Sequence, residues 1–298
     1  MFLKAIAILM LSAGAARADW RVVELDPADW PPEIVPETRP HVSTVSDAGL
    51  PDGLVAPGEA DIARAWYEAP TRRYGHGILG DAVEAGALVV ETAEGARITL
   101  TLPESHVFED RYPRVADLDG DGLAEVIAIR SSLRAGGGVA IYGVREGRLT
   151  ELAAVPDIGT TNRWLNIASI ADLNGDGLQE IALVQTPHIG GTLRVFAYDG
   201  GSLKLLDESW GFSNHAIGSE EMRLSALMDV NGDGLPDLAL PDAGRRGLRI
   251  VTLDGGKLSE LAEIALPGEV ATAIAATEAG FVMGLRDGRV FRVGAPAD

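Results

Sequence analysis

The chain has 298 residues, no cysteine and a formal net charge of −19 at neutral pH. This charge argues against a nucleic-acid partner, because phosphate binding needs a basic surface. The lack of cysteine excludes disulfides and a lipid-modified cysteine, whereas a chain of this length can bury a sizeable core without them.

The first 18 residues have the pattern of a secretory signal. Lys4 supplies a positive charge, the run Ala5–Leu11 is apolar, and Ala16-Arg17-Ala18 is a small-residue cleavage motif. The apolar run is too short to span a bilayer, and no other stretch approaches that length. We therefore predict cleavage near Ala18, no membrane span, and a periplasmic or secreted protein.

Residues 19–60 differ from the rest because they are rich in proline and poor in periodic apolar pattern. They are predicted to form an extended arm, with Trp20 and Trp30 favouring partial docking, while residues 61–298 form the main domain. Within that domain, Ile62–Glu68 is predicted to be a strand that completes the last sheet. A short surface helix over Ala60–Tyr67 is the alternative.

Three copies of one acidic loop dominate the middle of the chain: DLDGDGLAE at 117–125, DLNGDGLQE at 172–180 and DVNGDGLPD at 229–237. Side-chain oxygens at positions 1, 3, 5 and 9, with the position-7 carbonyl, form a donor set for a hard cation such as Ca²⁺. The predicted ligands are Asp117, Asp119, Asp121, Leu123, Glu125, Asp172, Asn174, Asp176, Leu178, Glu180, Asp229, Asn231, Asp233, Leu235 and Asp237. The first copy should bind most tightly, because it has four carboxylates against three.

The loops differ from an EF-hand, which needs a glutamate at position 12 and flanking helices. Position 12 is Ala128, Leu183 or Leu240, and the residues that follow the first two loops are apolar and β-branched, so the loops join strands. Asp-Gly hairpin turns without metal are the alternative. The sequence favours about three structural Ca²⁺ ions, because a turn does not require three spaced oxygen donors and a further acid.

The loops begin at residues 117, 172 and 229, so the repeat is 55 to 57 residues long. That length suits about four strands, or one propeller blade. The third blade is predicted to contain Leu165–Ala171, Glu180–Gln185, Thr192–Tyr198 and Leu203–Glu208.

Degenerate copies at 81–89 and 275–283 lack an oxygen donor at position 5, where alanine stands, so neither is predicted to hold metal. They bring the total to five blades. The last has only three strands of its own, Val270–Ile274, Phe281–Leu285 and Val290–Val293, and therefore needs a strand from elsewhere in the chain.

The motif D-x-D/N-G-D-G-L-x-D/E followed by an apolar strand resembles the FG-GAP or VCBS repeat of integrin α-subunit heads and bacterial exported proteins. The resemblance covers about residues 62–298. It implies an all-β propeller whose calcium loops join the first two strands of a blade, with ligands meeting the opposite face. Proteins with this repeat include adhesins and lyases, so the resemblance implies no single activity.

The face opposite the loops collects the residues that could bind a ligand. They are Arg111, Arg134, Arg163, Trp164, His188, Asn214 and His215. Aromatic, amide and guanidinium groups together suit a glycan or an acidic peptide. Ordinary loop residues and partly buried aromatic side chains are the alternative interpretation.

The sequence contains no G-x-S-x-G, H-E-x-x-H or P-loop motif. GHGILG at 75–80 matches a nucleotide-binding pattern, but we interpret it as an inner strand in which small residues allow close backbone approach. The predicted function is therefore an exported calcium-binding module for a protein or glycan. The alternative is a polysaccharide lyase or hydrolase that uses His76, His188 or His215 with an acid and an arginine.

Overall fold

A computed structural model describes residues 20–35 and 39–294 of the chain. This part is all-β, with 21 strands and three single-turn 3₁₀ helices at Pro27–Asp29, Pro32–Ile34 and Val42–Thr44. None of these helices could cross a bilayer. The predicted signal at 1–18 lies outside the described residues.

The strands follow one another along the chain with short connections. They are β1 (Arg21–Glu24), β2 (Ala56–Pro57), β3 (Ile62–Thr71), β4 (Glu84–Thr92), β5 (Arg97–Thr101), β6 (His106–Phe108), β7 (Arg114–Ala116), β8 (Glu125–Ser132), β9 (Gly136–Arg145), β10 (Arg148–Ala154), β11 (Leu165–Ala171), β12 (Glu180–Gln185), β13 (Thr192–Tyr198), β14 (Leu203–Trp210), β15 (Ala226–Met228), β16 (Asp237–Pro241), β17 (Gly247–Asp254), β18 (Lys257–Ala265), β19 (Val270–Thr277), β20 (Gly280–Leu285) and β21 (Val290–Gly294).

The strands form groups of four with antiparallel pairing. One sheet contains β11 to β14, the next β15 to β18, and a third has the order β19-β20-β21-β1. The groups β2 to β5 and β7 to β10 are joined by β6, which pairs with both β4 and β8, into a nine-stranded sheet. The predicted all-β architecture of blade-like sheets is confirmed.

Burial explains why each strand takes its place in a sheet. The second strand of a group, such as β12 with the sequence EIALVQ, is buried along nearly its whole length and is therefore almost wholly apolar. The fourth, such as β14, alternates partly buried with exposed residues because it forms an outer edge. The first three predicted strands of the third blade agree with the structure residue for residue, and β14 continues to Trp210 instead of Glu208.

The first strands of four groups line one open pocket. Ala56 and Pro57 of β2, Arg114–Ala116 of β7, Ile167–Ile170 of β11 and Ser225 beside β15 line a space of about 430 Å³. Four of the groups thus border one pocket through their first strands. The predicted blade arrangement requires such a placement of the first strands.

The prediction that Ile62–Glu68 completes the last sheet is wrong. That segment is part of β3, which pairs with β2 and β4 in the first group. Ala65, Trp66 and Tyr67 are fully buried, as expected of an inner position and not of an outer edge. The strand that completes the last sheet is β1, where Arg21 pairs with Gly294 and Glu24 with Phe291. Because β1 is mostly exposed, it suits an edge.

The degenerate loop copy at 81–89 was also assigned to the wrong position. Residues 72–83 form the connection between β3 and β4, and Gly86 lies inside β4. GHGILG belongs to the same connection and is not an inner strand. In this group the turn equivalent to the acidic loops lies between β2 and β3. The copy at 275–283 does contain the β19–β20 turn, where Thr277 pairs with Gly280.

The described part of residues 19–60 packs against the sheets. Trp20 and Val22 are partly buried against the core of the last two sheets. Ile34 packs with Ala275, Val282 and Val290, while Val42 packs with Trp66. The segment therefore lies against both the last sheet and the first group.

Candidate functional site

The three acidic loops connect the first and second strands of their groups and share one backbone conformation. In the first loop, Asp117 Oδ1 accepts from the Gly120 amide at 2.8 Å and Oδ2 accepts from the Gly122 amide at 2.9 Å. Asp172 and Asp229 make the equivalent pairs of hydrogen bonds. Both glycines adopt positive φ, 72° and 84° in the first loop, which residues with a Cβ reach only at a cost.

The buried acid at position 9 of each loop accepts a hydrogen bond from the backbone near the start of the same loop. Glu125, Glu180 and Asp237 are buried and accept the backbone amide of position 2 at 3.2, 2.9 and 2.9 Å. Burial raises the pKa of Glu125 and of Glu180 to about 7. The hydrogen-bond partners of Glu180, the Leu173 amide and the Asn174 side chain, are both neutral. A bound cation would compensate these buried carboxylates.

The donor set fits a hard divalent cation. Oxygens of Asp117, Asp119 and Glu125 lie within 4.8 Å of one another. In the second and third loops Asn174 and Asn231 stand at the position of Asp119 and direct their side-chain nitrogens towards the neighbouring acids. Carboxylate oxygens around a glycine-containing turn, as in the first loop, are typical ligands of Ca²⁺, whereas Asn174 and Asn231 would have to turn their side-chain oxygens towards the ion.

Neighbouring loops also contact one another. The Gln179 amide donates to the Leu118 carbonyl and the Gln179 side chain to the Asp117 carbonyl, both at 3.0 Å. A Cβ on Gly175 would lie 3.1 Å from Leu235 Cδ2, and one on Gly120 would lie 3.9 Å from Leu178 Cδ2. The leucine at position 7 of one loop thus covers the glycine at position 4 of the preceding loop. Sequence reasoning missed this contact, although both residues recur in every copy.

Two acids in the β2–β3 turn continue this row of loops. The Asp117 amide donates to Glu59 Oε1 at 3.1 Å, and the Ala124 amide donates to Asp61 Oδ1 at 2.8 Å. Sequence reasoning did not select either acid, because the frame of the first group was misplaced. The first acidic loop is therefore held from both sides.

A pocket of about 180 Å³ lies at the other end of the strands, among the β3–β4, β10–β11, β12–β13 and β14–β15 connections. It is lined by His76, Ile78, Asn162, Arg163, Trp164, Thr186, His188, Ile189 and Ile217. Ile189 and Ile217 are 59% and 70% exposed, so the pocket has an apolar rim open to solvent. We call it the His76 pocket.

His76 is held by Glu109, and Glu109 is held in turn by Ser131. Its Nδ1 lies 2.5 Å from Glu109 Oε1, and the Ser131 hydroxyl donates to the other oxygen of the same carboxylate. Glu109 is fully buried, and the Trp164 indole donates to its backbone carbonyl at 2.9 Å. Burial raises the pKa of Glu109, while the contacts with His76 and Ser131 oppose this shift. His76 Nε2 has no hydrogen-bond partner among residues 20–35 and 39–294.

A second imidazole chain approaches the same pocket. His215 Nε2 lies 2.9 Å from the Ser219 carbonyl, which can only accept, so this nitrogen carries the proton. His215 Nδ1 must then accept from His188 Nε2 at 3.0 Å, which leaves His188 Nδ1 with a free lone pair. Burial lowers the pKa of His188 to about 4 and that of His215 to about 3. His188 stacks on Trp164, with 6.2 Å between ring centroids.

The structure brings together some of the predicted ligand-binding residues. Arg163, Trp164 and His188 line the His76 pocket, and His215 supports His188. Asn214 is buried beside His215, and its side chain donates to the Asn166 carbonyl.

The two remaining arginines lie elsewhere. Arg111 is buried and paired with Asp52 and Glu220, and Arg134 is exposed in the β8–β9 turn. Sequence reasoning did not select Glu109 or Ser131, since neither stands in a recurring motif.

The pocket contains two residues in a strained backbone conformation. Asn162 and Thr186 have φ values of 55° and 51°. A positive φ is uncommon for asparagine and a genuine outlier for the β-branched threonine. Such strain persists only where surrounding structure holds it and is frequent at functional sites.

The acidic loops match a known repeat. Residues 117–183, which span the first two loops and the strands between them, match the family model described as an FG-GAP-like repeat. The chain carries an FG-GAP-like repeat. The FG-GAP-like segment ends inside β12, and the third acidic loop, outside it, repeats the same hydrogen bonds.

Comparison with curated proteins gives no match. Among solved structures, the chain is similar to a provisionally assigned 6-phosphogluconolactonase from Bacteroides fragilis, with a TM-score of 0.41 and 15% identity over 75% of this chain and 60% of that one. It is also similar to the Bacillus licheniformis rhamnogalacturonan lyase PL11, with a TM-score of 0.38 and 16% identity over 80% of this chain and 57% of that one. The chain spans less than two thirds of either structure's length.

Proposed function

We propose that this protein is an exported β-propeller whose acidic loops hold three structural Ca²⁺ ions and whose opposite face binds a protein or glycan ligand in the His76 pocket. One observation carries the calcium proposal: three loops repeat the same turn around a buried acid at position 9. The repeated negative charge opposes folding unless a cation compensates it.

The ligand proposal rests on the contrast between the two ends of the strands. The loop end repeats one motif, whereas the pocket end combines an aromatic ring, imidazoles, a guanidinium and two exposed isoleucines. An aromatic centre with polar side chains and an apolar rim suits a ligand that presents both hydroxyl and apolar surface.

Export is supported by two features of the sequence. The signal pattern at residues 1–18 predicts cleavage after Ala18. The FG-GAP-like repeat is frequent in proteins that act outside the cytoplasm. Mass spectrometry of the protein recovered from an exporting host should show an amino terminus at Asp19, and retention of residues 1–18 would contradict this part of the proposal.

A glycan array and a calcium titration test the two binding roles. Isothermal titration of the chelated protein should show about three Ca²⁺ sites. On the array, Arg163→Ala should abolish a bound signal, whereas Arg134→Ala is the matched control because this arginine lies outside the pocket. Equal loss in both variants would contradict the assignment of the pocket.

A second candidate function is an enzyme that acts on exported polysaccharide as a lyase or hydrolase. The His76–Glu109 contact favours it, because a carboxylate that orients an imidazole is an arrangement used in general acid–base catalysis. Product analysis of any glycan bound on the array separates the candidates: intact glycan supports binding alone, and new reducing ends or unsaturated sugars support turnover.

A further inference from the structure

The His76 pocket combines an oriented imidazole with open space. Nδ1 of His76 is held by the buried Glu109 carboxylate, whose second oxygen accepts from Ser131. This leaves Nε2 as the nitrogen available to a group in the pocket. In catalytic sites an imidazole base is commonly oriented by a carboxylate, and here Ser131 in turn holds the carboxylate of Glu109.

We propose that this pocket hydrolyses a short-chain acyl ester, with His76 as general base and Glu109 as its positioning residue. The proposal goes beyond the binding role and rests on the assignment of this pocket to the ligand face. The ester is a side group of the bound ligand, such as an O-acyl group on a glycan.

The size of the pocket selects the substrate group. Its volume of about 180 Å³ is below the roughly 300 Å³ at which pockets for drug-sized ligands begin. At about 30 Å³ for each water, it accepts on the order of six water-sized groups. An acetyl or similarly short acyl group fits this space between Ile78, Ile189 and Ile217. Two sugar rings on either side of a main-chain linkage do not.

The charged groups also favour ester hydrolysis over cleavage of a glycosidic bond. Most glycosidases place two carboxylic acids on either side of the bond that breaks. No carboxylate is among the residues that line this pocket in the described part of the chain, and Glu109 lies behind His76. A water activated by an imidazole attacks a carbonyl carbon and does not need the second acid.

The reaction balances with water as the only co-substrate. His76 Nε2 takes a proton from water as the water oxygen bonds to the ester carbonyl carbon. The imidazolium is stabilised by Glu109, and the carbonyl oxygen becomes an oxyanion beside Arg163. The carbon–oxygen bond to the alcohol then breaks, and the alcohol oxygen takes the proton from His76. The products are a carboxylic acid and an alcohol.

The second imidazole chain contributes a fixed acceptor. His188 Nδ1 keeps its lone pair because Nε2 donates to His215, which in turn donates to the Ser219 carbonyl. His188 also lines the pocket, and we expect this lone pair to accept from the water or from a hydroxyl group of the ligand.

Hydrolysis of p-nitrophenyl acetate by the full mature protein in calcium tests the proposal. His76→Gln should lower the rate above background by roughly 100-fold, within the range of general-base catalysis. His41→Gln is the control and should leave the rate unchanged, because His41 lies outside the pocket. Wild-type turnover equal to that of His76→Gln would overturn the proposal.

Glu109→Gln separates a positioning role from a structural one. This variant should have a lower kcat, while KM and the melting temperature stay near the wild-type values. The reason is that the side chain at position 109 touches His76 and not the substrate. If kcat falls only in proportion to the unfolded fraction, the positioning role is wrong.

If His76→Gln does not fold, wild-type protein can be treated with diethyl pyrocarbonate. Loss of activity should follow modification of His76, located by peptide mass, and full activity after modification would overturn the proposal. Glycan binding that persists without esterase activity refutes only the reaction, whereas loss of binding in Arg163→Ala and Arg134→Ala alike refutes the pocket.

Discussion

The two ends of the strands are built in different ways. At one end, three loops repeat one motif and the same hydrogen bonds, and the contact of a leucine with the glycine of the preceding loop occurs twice. At the other end, the His76 pocket takes one to three residues from each of four connections that share no motif. Repetition in this chain therefore encodes the scaffold, and the pocket proposed to bind the ligand lies where repetition stops.

The largest expected effect is at the loop end, where removal of calcium should lower the melting temperature. A ligand at 100 times its Kd stabilises a fold by about 2.7 kcal/mol per site, so three sites add about 8 kcal/mol. For a domain of this size we expect EGTA to lower the Tm on the order of 15 °C. Readdition of Ca²⁺ should restore the Tm. An unchanged melting curve after chelation would contradict a structural role for Ca²⁺ in the loops.

At the pocket end, the free energy of unfolding should depend on pH through the buried acid Glu84. Burial, with Glu109 and Asp52 nearby, raises the pKa of Glu84 to about 9 from the ordinary 4.5. Because the folded pKa is the higher one, the associated stability is complete below pH 4.5 and is lost as the pH rises towards 9. Glu84→Gln should therefore stabilise the fold by about 2 kcal/mol at pH 7.

The same variant at low pH supplies the control. Well below pH 4.5 the Glu84 carboxyl is protonated in both the folded and the unfolded wild type, so Glu84→Gln and wild type should have similar free energies of unfolding in urea. An equal gain at both pH values would show that the effect is packing and not charge.

A smaller effect is expected on the Ca²⁺ affinities of the three loops, which differ in their number of carboxylates. Asp119→Asn gives the first loop the composition of the other two and should weaken its Ca²⁺ affinity by about tenfold, because ligand charge tunes affinity. Asn174→Asp is the matched variant and should tighten the second loop. Calcium titration of both proteins checks the order of the sites, and an unchanged tightest site in Asp119→Asn would contradict it.

The smallest effect tests the contact between loops. Leu235→Ala removes a side chain that covers Gly175 and should cost about 1 kcal/mol. Leu123→Ala is the control, because its loop is the first of the three and no position-4 glycine of an earlier acidic loop precedes it. Equal free energies of unfolding for the two variants would mean that the contact does not link the loops.

Much of the scaffold could be predicted from the sequence because its signals are local. The strands β11, β12 and β13 are apolar runs bounded by the acidic loop or by turn residues, and their limits follow from that pattern. The assignment of Ile62–Glu68 failed because its apolar run fits either an inner or a closing strand. Only the pairing of β1 with β21, which joins distant parts of the chain, distinguishes the two.

The pocket was less accessible to prediction. His188 and His215 were selected because they lie at the same end of one blade, on either side of it, whereas no feature of the sequence relates His76 to Glu109. No periodic signal marks Glu109, since its role depends on burial and not on a repeated position.

The pairing of β1 with β21 ties the folding of the last sheet to the whole length of the chain. During synthesis β1 emerges first and has no partner until β21 follows, so this sheet cannot form step by step as the others can. Such non-local pairing slows folding. A chain cut short before Val290 would leave β20 as an open edge, and we expect such fragments to aggregate or be degraded.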